Sequence, residues 1–326
     1  EGEVFAIGRE ESIVLEQDVL TSLDSVPQDA ADLMVLCTPV EVNEEMIRRA
    51  SEKGVKAVFC AAGGYSETGE EGLQAEQRLV SLTEELDLVL AGPNGQGLVS
   101  PHVGLCAQIV APYAPKGRIA VVSQSGNFVS SFLNYANQTG IGISRSVSAG
   151  NAAATEIIDF LEWFAVDPKT DVALCYLEGL DDGRDFFERV RAITKEMPVV
   201  LVKGGTTIGG QRAAASHTGS LASDSKIFEG MASQAGITRT QNIESAFEVA
   251  ATFATQPLPS GPRVLVLTTA GGWGVVTADA ISQSSDLVLA PLPNDLKESI
   301  DELVPPRWSK NNPIDLAGGE TRDTIP

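Results

Sequence analysis

Short apolar, β-branched runs alternate with amphipathic helical stretches along most of this chain, and that alternation limits its fold more than any other feature. Residues 31–37 (ADLMVLC) read as a buried strand, 44–53 as a helix and 55–61 as the next strand. Asn43 is placed to cap that helix, Val42 and Ile47 to staple it, and Gly54 to end it. A long acidic helix over about 70–86, its charges a solvated face, and a strand over 88–91 lead into the loop Gly92-Pro93-Asn94-Gly95-Gln96-Gly97. Strands and helices in this order imply βαβ units and a parallel sheet covered on both faces. Residues 4–7 are expected as an early strand of that sheet. No glycine-rich phosphate loop precedes them, so the first βα unit is expected upstream of Glu1.

Two proline-containing segments, 111–117 (APYAPKG) and 256–262 (QPLPSGP), read as linkers. Between them strands are expected at 118–122, 143–147, 172–177 and 199–203, and helices at 128–138, 155–164, 184–195 and 220–234. A third unit opens with a strand at 263–269, the turn Gly271-Gly272-Trp273-Gly274 and a helix over 275–283. The domains are therefore expected at 1–112, 113–257 and 258–326. The chain begins with Glu1 instead of Met and stops at Pro326, soon after a new strand–turn–helix pattern starts, so a fragment is expected.

Composition removes several function classes. With 23 Lys+Arg against 44 Asp+Glu, the net charge is −21. Nucleic-acid binding draws on cations that neutralise phosphates, and anionic membranes repel such a surface. No apolar run reaches the ~20 residues of a membrane-spanning helix. Cys37, Cys60, Cys106 and Cys175 lie far apart, which suggests neither a disulfide framework nor a zinc site, and no metal ligands are assigned. A reducing cytoplasm is expected. The two histidines are His102, in an ordinary loop, and His217.

Three places could carry chemistry. The turn Ser123-Gln124-Ser125-Gly126 joins a buried strand to a helix, where backbone N–H groups and the helix dipole favour an anion and two hydroxyls add donors. The same residues also suit plain serine capping. They do not form a G-x-S-x-G elbow, because Ser123 occupies the position two before Ser125. His217 stands in the small-residue loop Ala215-Ser216-His217-Thr218-Gly219, which leaves room for close approach of a ligand, although a solvated loop histidine is the plainer reading. Glu178 follows the strand at 172–177, at the carboxyl end where ligands bind open α/β sheets; it could orient an imidazole or serve as a surface charge. The loops at 61–64 and 92–97 suit a nucleotide-like ligand lying against backbone, and Gly150-Asn151 could line the second site.

Taken in order, these segments resemble a known family. They are the GPN-x-x-G loop at 92–97, V-S-x-S-G at 122–126, L-E-G at 177–179 and K-G-G at 203–205. S-H-T-G-S-L-A at 216–222, G-G-x-G-V at 271–275 and N-P-I-D-L at 312–316 follow. The set resembles the nucleoside-diphosphate-forming acyl-CoA synthetases: the ADP-forming acetyl-CoA synthetases and, more distantly, the α subunit of succinyl-CoA synthetase. The likeness spans nearly the whole chain, and S-H-T-G-S-L-A is its most specific part.

The resemblance implies a CoA-binding Rossmann-like domain followed by flavodoxin-like doubly wound domains. It implies an acid–thiol ligase in which His217 is phosphorylated and Glu178 steadies it. Ser123, Ser125, Gly126, Gly150, Asn151, Thr218 and Gly219 would bind phosphate, and Pro39, Ala62, Gly63, Asn94 and Gly95 would bind CoA. ATP or ADP with Mg2+ would sit mainly on an ATP-grasp β subunit or fused domain, the other substrate would be a small carboxylic acid, and an oligomer is expected. The sequence departs from the family in Ala152-Ala153-Ala154, where a charged segment is common, and in Trp273, where proline is usual. Two other readings remain: a non-catalytic CoA-sensing module of a protein acyltransferase, and a nicotinamide-linked dehydrogenase. Retention of His217 and Glu178 counts against the first, and the missing fingerprint loop against the second.

Overall fold

A computed structural model describes residues 2–109, 112–180, 182–207, 209–210, 225–304 and 306–318. Its backbone divides into two units, Glu1–Gln256 and Pro257–Pro326.

The first unit holds two main sheets and one small one. Strands Leu33–Leu36, Ala57–Cys60 and Val89–Ala91 form a parallel three-stranded sheet in that order. Helices Val40–Glu52 and Glu70–Glu85 pack on it, around Leu36, Ile47, Val58, Cys60, Tyr65, Leu79 and Leu90. The first helix starts earlier than expected. Pro39 occupies its cap position, so Asn43 lies inside the helix and does not cap it. Asn43 is fully buried, and its carboxamide meets the Tyr65 hydroxyl at 2.7 Å. A buried amide needs such partners, and this interior role outcompetes capping. Ala6–Ile7 also departs from expectation. It pairs with Gln17–Leu20, whose other edge pairs with Ser12–Val14, so these three short strands close a separate small sheet.

The second sheet has seven strands. Their order is Thr238–Thr240, Val199–Lys203, Val172–Leu177, Lys116–Ser123, Ile143–Ser148, Gly97–Ser100 and Leu105–Gln108. All neighbours are parallel except the last two pairings, which are antiparallel. In the central strand Ile119 and Val121 face one side, with Phe132, Leu133, Phe247 and Ala250 from helices Gly126–Thr139 and Ile243–Thr255. Ala120 and Val122 face the other, with Ile158, Leu161, Phe186, Val190 and Phe228 from helices Ile157–Val166, Gly183–Ile193 and Ser225–Gln234. The two-residue period of a strand explains the division. With both faces covered, the strand reads as one continuous apolar run. Burying each Val, Leu or Ile contributes about 1.5–3 kcal/mol. That exceeds the roughly 0.5–1 kcal/mol of side-chain entropy lost by Leu or Ile.

From the central strand the chain runs first to Ile143–Ser148 on one side and then to Val172–Leu177 on the other. The sheet therefore reverses winding at Ser123, and a crevice opens beyond the carboxyl ends of the strands.

In the second unit, Arg263–Val264 pairs with Val288–Leu289 and Leu267–Thr268 with Ile314–Asp315. The single strand expected at 263–269 is thus two short ones with different partners. The helix begins at Gly271, so the expected glycine turn forms its first turn, and Trp273 is 71% exposed there. Asn312 ties this unit together: its amide nitrogen donates to the carbonyls of Val264 and Ala290, and its oxygen accepts from Val266 N–H. Among the described residues no helix is long and apolar enough to cross a membrane.

Candidate functional site

The loops that leave the carboxyl ends of both sheets in the first unit interlock. On the three-stranded sheet, Pro39 precedes helix Val40–Glu52, and a methyl group at Gly64 would lie 2.9 Å from Val40 Cγ2. Asn94 N–H donates to the Ala62 carbonyl at 2.9 Å, and a methyl at Gly63 would press on Glu67 and Asn94. Pro39, Ala62, Gly63, Asn94 and Gly95 therefore gather at one edge. Pro39, Gly63 and Asn94 are exposed there, while Gly95 is buried against Phe59 and the Ser148 carbonyl.

The two-sheet junction follows. Asn151 N–H donates to the Pro93 carbonyl at 2.9 Å, and Ala153 N–H to that of Gly92 at 3.1 Å. Gln96 N–H donates to Ser148 Oγ at 2.9 Å. Gly150 has φ +58°, and any side chain on it would strike the Pro93 carbonyl. The Gln96 side chain lies across the first turn of helix Gly126–Thr139, donating to Asn127 Oδ1 at 3.2 Å and accepting from Ser130 Oγ at 3.0 Å.

The Asn151 side chain meets two carboxylates. Its amide nitrogen donates to Glu67 Oε2 at 2.7 Å and Glu76 Oε2 at 2.8 Å. Burial pushes the Glu67 carboxyl up, but the Asn151 amide and the Gly64 and Tyr65 N–H groups outweigh it and hold it below its ordinary value. A carboxylate depressed in this way stabilises the fold above its ordinary range near 4.5, and that contribution fades as pH falls through the lowered value. Glu67→Gln should therefore lose stability mainly above about pH 5 and converge on the parent protein in stronger acid. Urea midpoints measured across that range check this, and a gap that widened in acid would contradict it.

In the serine turn the Ser123 hydroxyl bonds locally. Ser123 Oγ donates to the Ser125 carbonyl at 2.7 Å and accepts from Ser125 N–H at 3.0 Å, so it is spent inside the turn. Ser125 is the cap residue of helix Gly126–Thr139, and its side chain makes no cap hydrogen bond. The N–H groups of that first turn therefore retain capacity for an anion.

Glu178 lies next to this turn and is 5% exposed. Its N–H donates to Gln124 Oε1 at 2.5 Å, and Gly179 N–H donates to the same oxygen at 3.1 Å. The Glu178 carboxylate stands beside the Tyr176 hydroxyl; burial first, and that negative charge second, push the phenol above its ordinary range. Lys203, 7% exposed, donates from Nζ to the Glu178 carbonyl at 2.6 Å and to Gly204 O at 2.7 Å. Burial, followed by the charge of Arg239, lowers the Lys203 ammonium pKa, and Glu178 opposes them. His217, Thr218 and Gly219 lie outside the described residues.

The structure thus brings Glu178, the serine turn, Gly150-Asn151 and the 92–97 loop to the carboxyl edge of one doubly wound sheet. Gln96, Gln124 and Lys203 were not identified from the sequence. Gln124 occupies the variable position of V-S-x-S-G and Lys203 the first of K-G-G, which was the only signal available.

This arrangement is that of a doubly wound α/β protein with an anion-compatible helix start at its winding reversal. A CoA binding domain matches residues 1–98, a succinyl-CoA ligase like flavodoxin domain 116–253 and a ligase-CoA domain 264–325. The α subunit of acetate–CoA ligase (ADP-forming) II from Pyrococcus furiosus is 36% identical over 97% of this chain and 68% of its own length. Acetate–CoA ligase (ADP-forming) I from Archaeoglobus fulgidus is 32% identical over 97% of this chain, which spans 46% of that relative. The dinucleotide-forming acetyl-coenzyme A synthetase 1 of Candidatus Korarchaeum cryptofilum, solved with phosphate and ADP, superposes with a TM-score of 0.88. It is 32% identical, with coverage of 98% of this chain and 68% of that one. The chain belongs to the family of NDP-forming acyl-CoA synthetases.

Proposed function

We propose that this chain is the CoA-binding and phosphoryl-relay part of a cytoplasmic acid–thiol ligase that interconverts acyl-CoA, phosphate and ADP with a carboxylic acid, CoA and ATP. The observation that carries the reading is the buried Glu178 beside the uncapped helix start at Ser125, at the winding reversal of the sheet. The relatives' names and the Korarchaeum complex with phosphate and ADP support the same chemistry.

In the direction of ATP formation, a phosphate oxygen attacks the thioester carbonyl and expels the CoA thiolate, leaving an acyl phosphate. A ring nitrogen of His217 then attacks phosphorus, and the carboxylate of the free acid departs. The phosphoryl group finally passes to the terminal phosphate of ADP. Splitting the transfer at histidine replaces one difficult step with easier ones. Glu178 accepts a hydrogen bond from the other ring nitrogen and fixes the tautomer that attacks. The Ser125 hydroxyl and the Gly126 N–H hold the transferring charge, with Gly150, Thr218 and Gly219 beside it. Pro39, Ala62, Gly63, Asn94 and Gly95 carry CoA, whose thiol meets the acyl group at the 92–97 loop. ADP and Mg2+ sit on an ATP-grasp β subunit or a fused domain, within a larger assembly.

The test is radiolabelling. The full-length protein incubated with acetyl-CoA and radioactive phosphate should acquire an acid-labile, base-stable phosphoryl group, and His217→Asn should acquire none. Full turnover by His217→Asn would overturn the mechanism.

A further inference from the structure

The peptide that bears Glu178 is held at both of its polar groups by side chains from the two neighbouring strands. Glu178 follows directly on Leu177, the last residue of its strand, where ladder hydrogen bonding stops. Its N–H and that of Gly179 converge on Gln124 Oε1, at 2.5 and 3.1 Å. Gln124 Nε2 donates in turn to the Gly179 carbonyl at 3.1 Å, so one carboxamide closes a ring on this peptide. From the opposite side, Lys203 Nζ donates to the Glu178 carbonyl at 2.6 Å.

Lys203 is itself fixed. It pairs with Leu177 across the parallel ladder, is 7% exposed, and lies 5.6 Å from the centre of the Phe228 ring. Its second donor bond, to the Gly204 carbonyl at 2.7 Å, holds the first residue of the segment that leads on to His217. A buried ammonium would be costly without such acceptors, and two charge-assisted bonds to carbonyls supply them.

We infer that Gln124 and Lys203 are positioning residues. Together they form a side-chain brace that sets the Glu178 carboxylate against the serine turn and anchors the start of the histidine segment. The inference rests on the reading of Glu178 as the carboxylate that steadies His217. Gln124 is part of the serine turn itself, so displacement of the turn and displacement of Glu178 are mechanically linked. A strand end with free carbonyls and amides would let the carboxylate drift, and misplacement by about 1 Å can cost about 10²-fold in rate.

The experiment is a double-mutant cycle on the full-length protein, read by the rate of labelling from acetyl-CoA and radioactive phosphate. Gln124 is half-buried, so Gln124→Leu should leave the fold intact; Lys203→Met is the second arm, and its thermal midpoint is recorded. Gln124→Leu is expected to slow labelling at saturating substrates at least 10-fold, with the acetyl-CoA KM unchanged within about twofold. In a Glu178→Ala background the same substitution should have almost no further effect, because both changes remove one function. A merely structural residue would lower both backgrounds alike. Slowed labelling by Glu178→Ala with normal labelling by Gln124→Leu would overturn the brace alone. Normal labelling by Glu178→Ala would overturn the reading on which the brace rests. If Lys203→Met does not fold, Gln124→Leu decides the matter.

Discussion

Glu178→Ala is expected to slow phosphorylation of the full-length protein by acetyl-CoA and phosphate about 10²–10⁴-fold, up to the loss on removing a carboxylate that holds a catalytic imidazole in one tautomer. The argument is geometric. The carboxylate is 5% exposed and its peptide is held from both sides, so it cannot be replaced by a neighbouring acid or readily by water. An imidazole without such a partner samples both tautomers, and only one presents a lone pair to phosphorus. Because Glu178 makes no contact with CoA in this scheme, the acetyl-CoA KM should stay near that of the parent. Rapid-quench labelling measures the rate, and labelling within threefold of the parent would remove Glu178 from the mechanism.

Gly150→Val should produce the largest loss of stability, roughly 2–5 kcal/mol: left-handed backbone costs an L-residue about 1–2, and overpacking about 1–3. Gly150 has φ +58°, and its side chain would collide with the backbone of Pro93 and Asn94, not with a flexible side-chain tip that could move away. Relief requires the 92–97 loop to separate from residues 148–153, which breaks the Asn151–Pro93 and Ala153–Gly92 hydrogen bonds. Urea unfolding checks the size of the loss. A change below about 1 kcal/mol would mean that this junction contributes little to the fold.

Much of the architecture could be read from the amino acids. The strands Val172–Leu177 and Val199–Lys203 match their expected ends, since both are unbroken apolar runs covered on two faces. The hairpin Gly97–Ser100 and Leu105–Gln108 escaped notice because Pro101, Gly104 and polar residues interrupt its pattern. Thr238–Thr240 is too short and polar to signal a strand and depends on pairing with Val199–Lys203. At the site, Glu178 and the serine turn could be picked out because each follows a legible strand. Gln124, Gln96 and Lys203 could not, because a hydrogen bond spanning more than twenty residues leaves no local periodicity. Asn43 is a residue type that commonly caps, and it sits inside its helix because Tyr65, 22 residues away, supplies a buried partner that no local pattern announces.

The loop 92–97 leaves the three-stranded sheet at Ala91 and becomes the seven-stranded sheet at Gly97. One short span of backbone is thus sewn into both layers, and Asn151, Ala153 and Ser148 fasten it along its length. Such a seam couples the two layers: a shift of either sheet edge is carried to the other through residues 92–97.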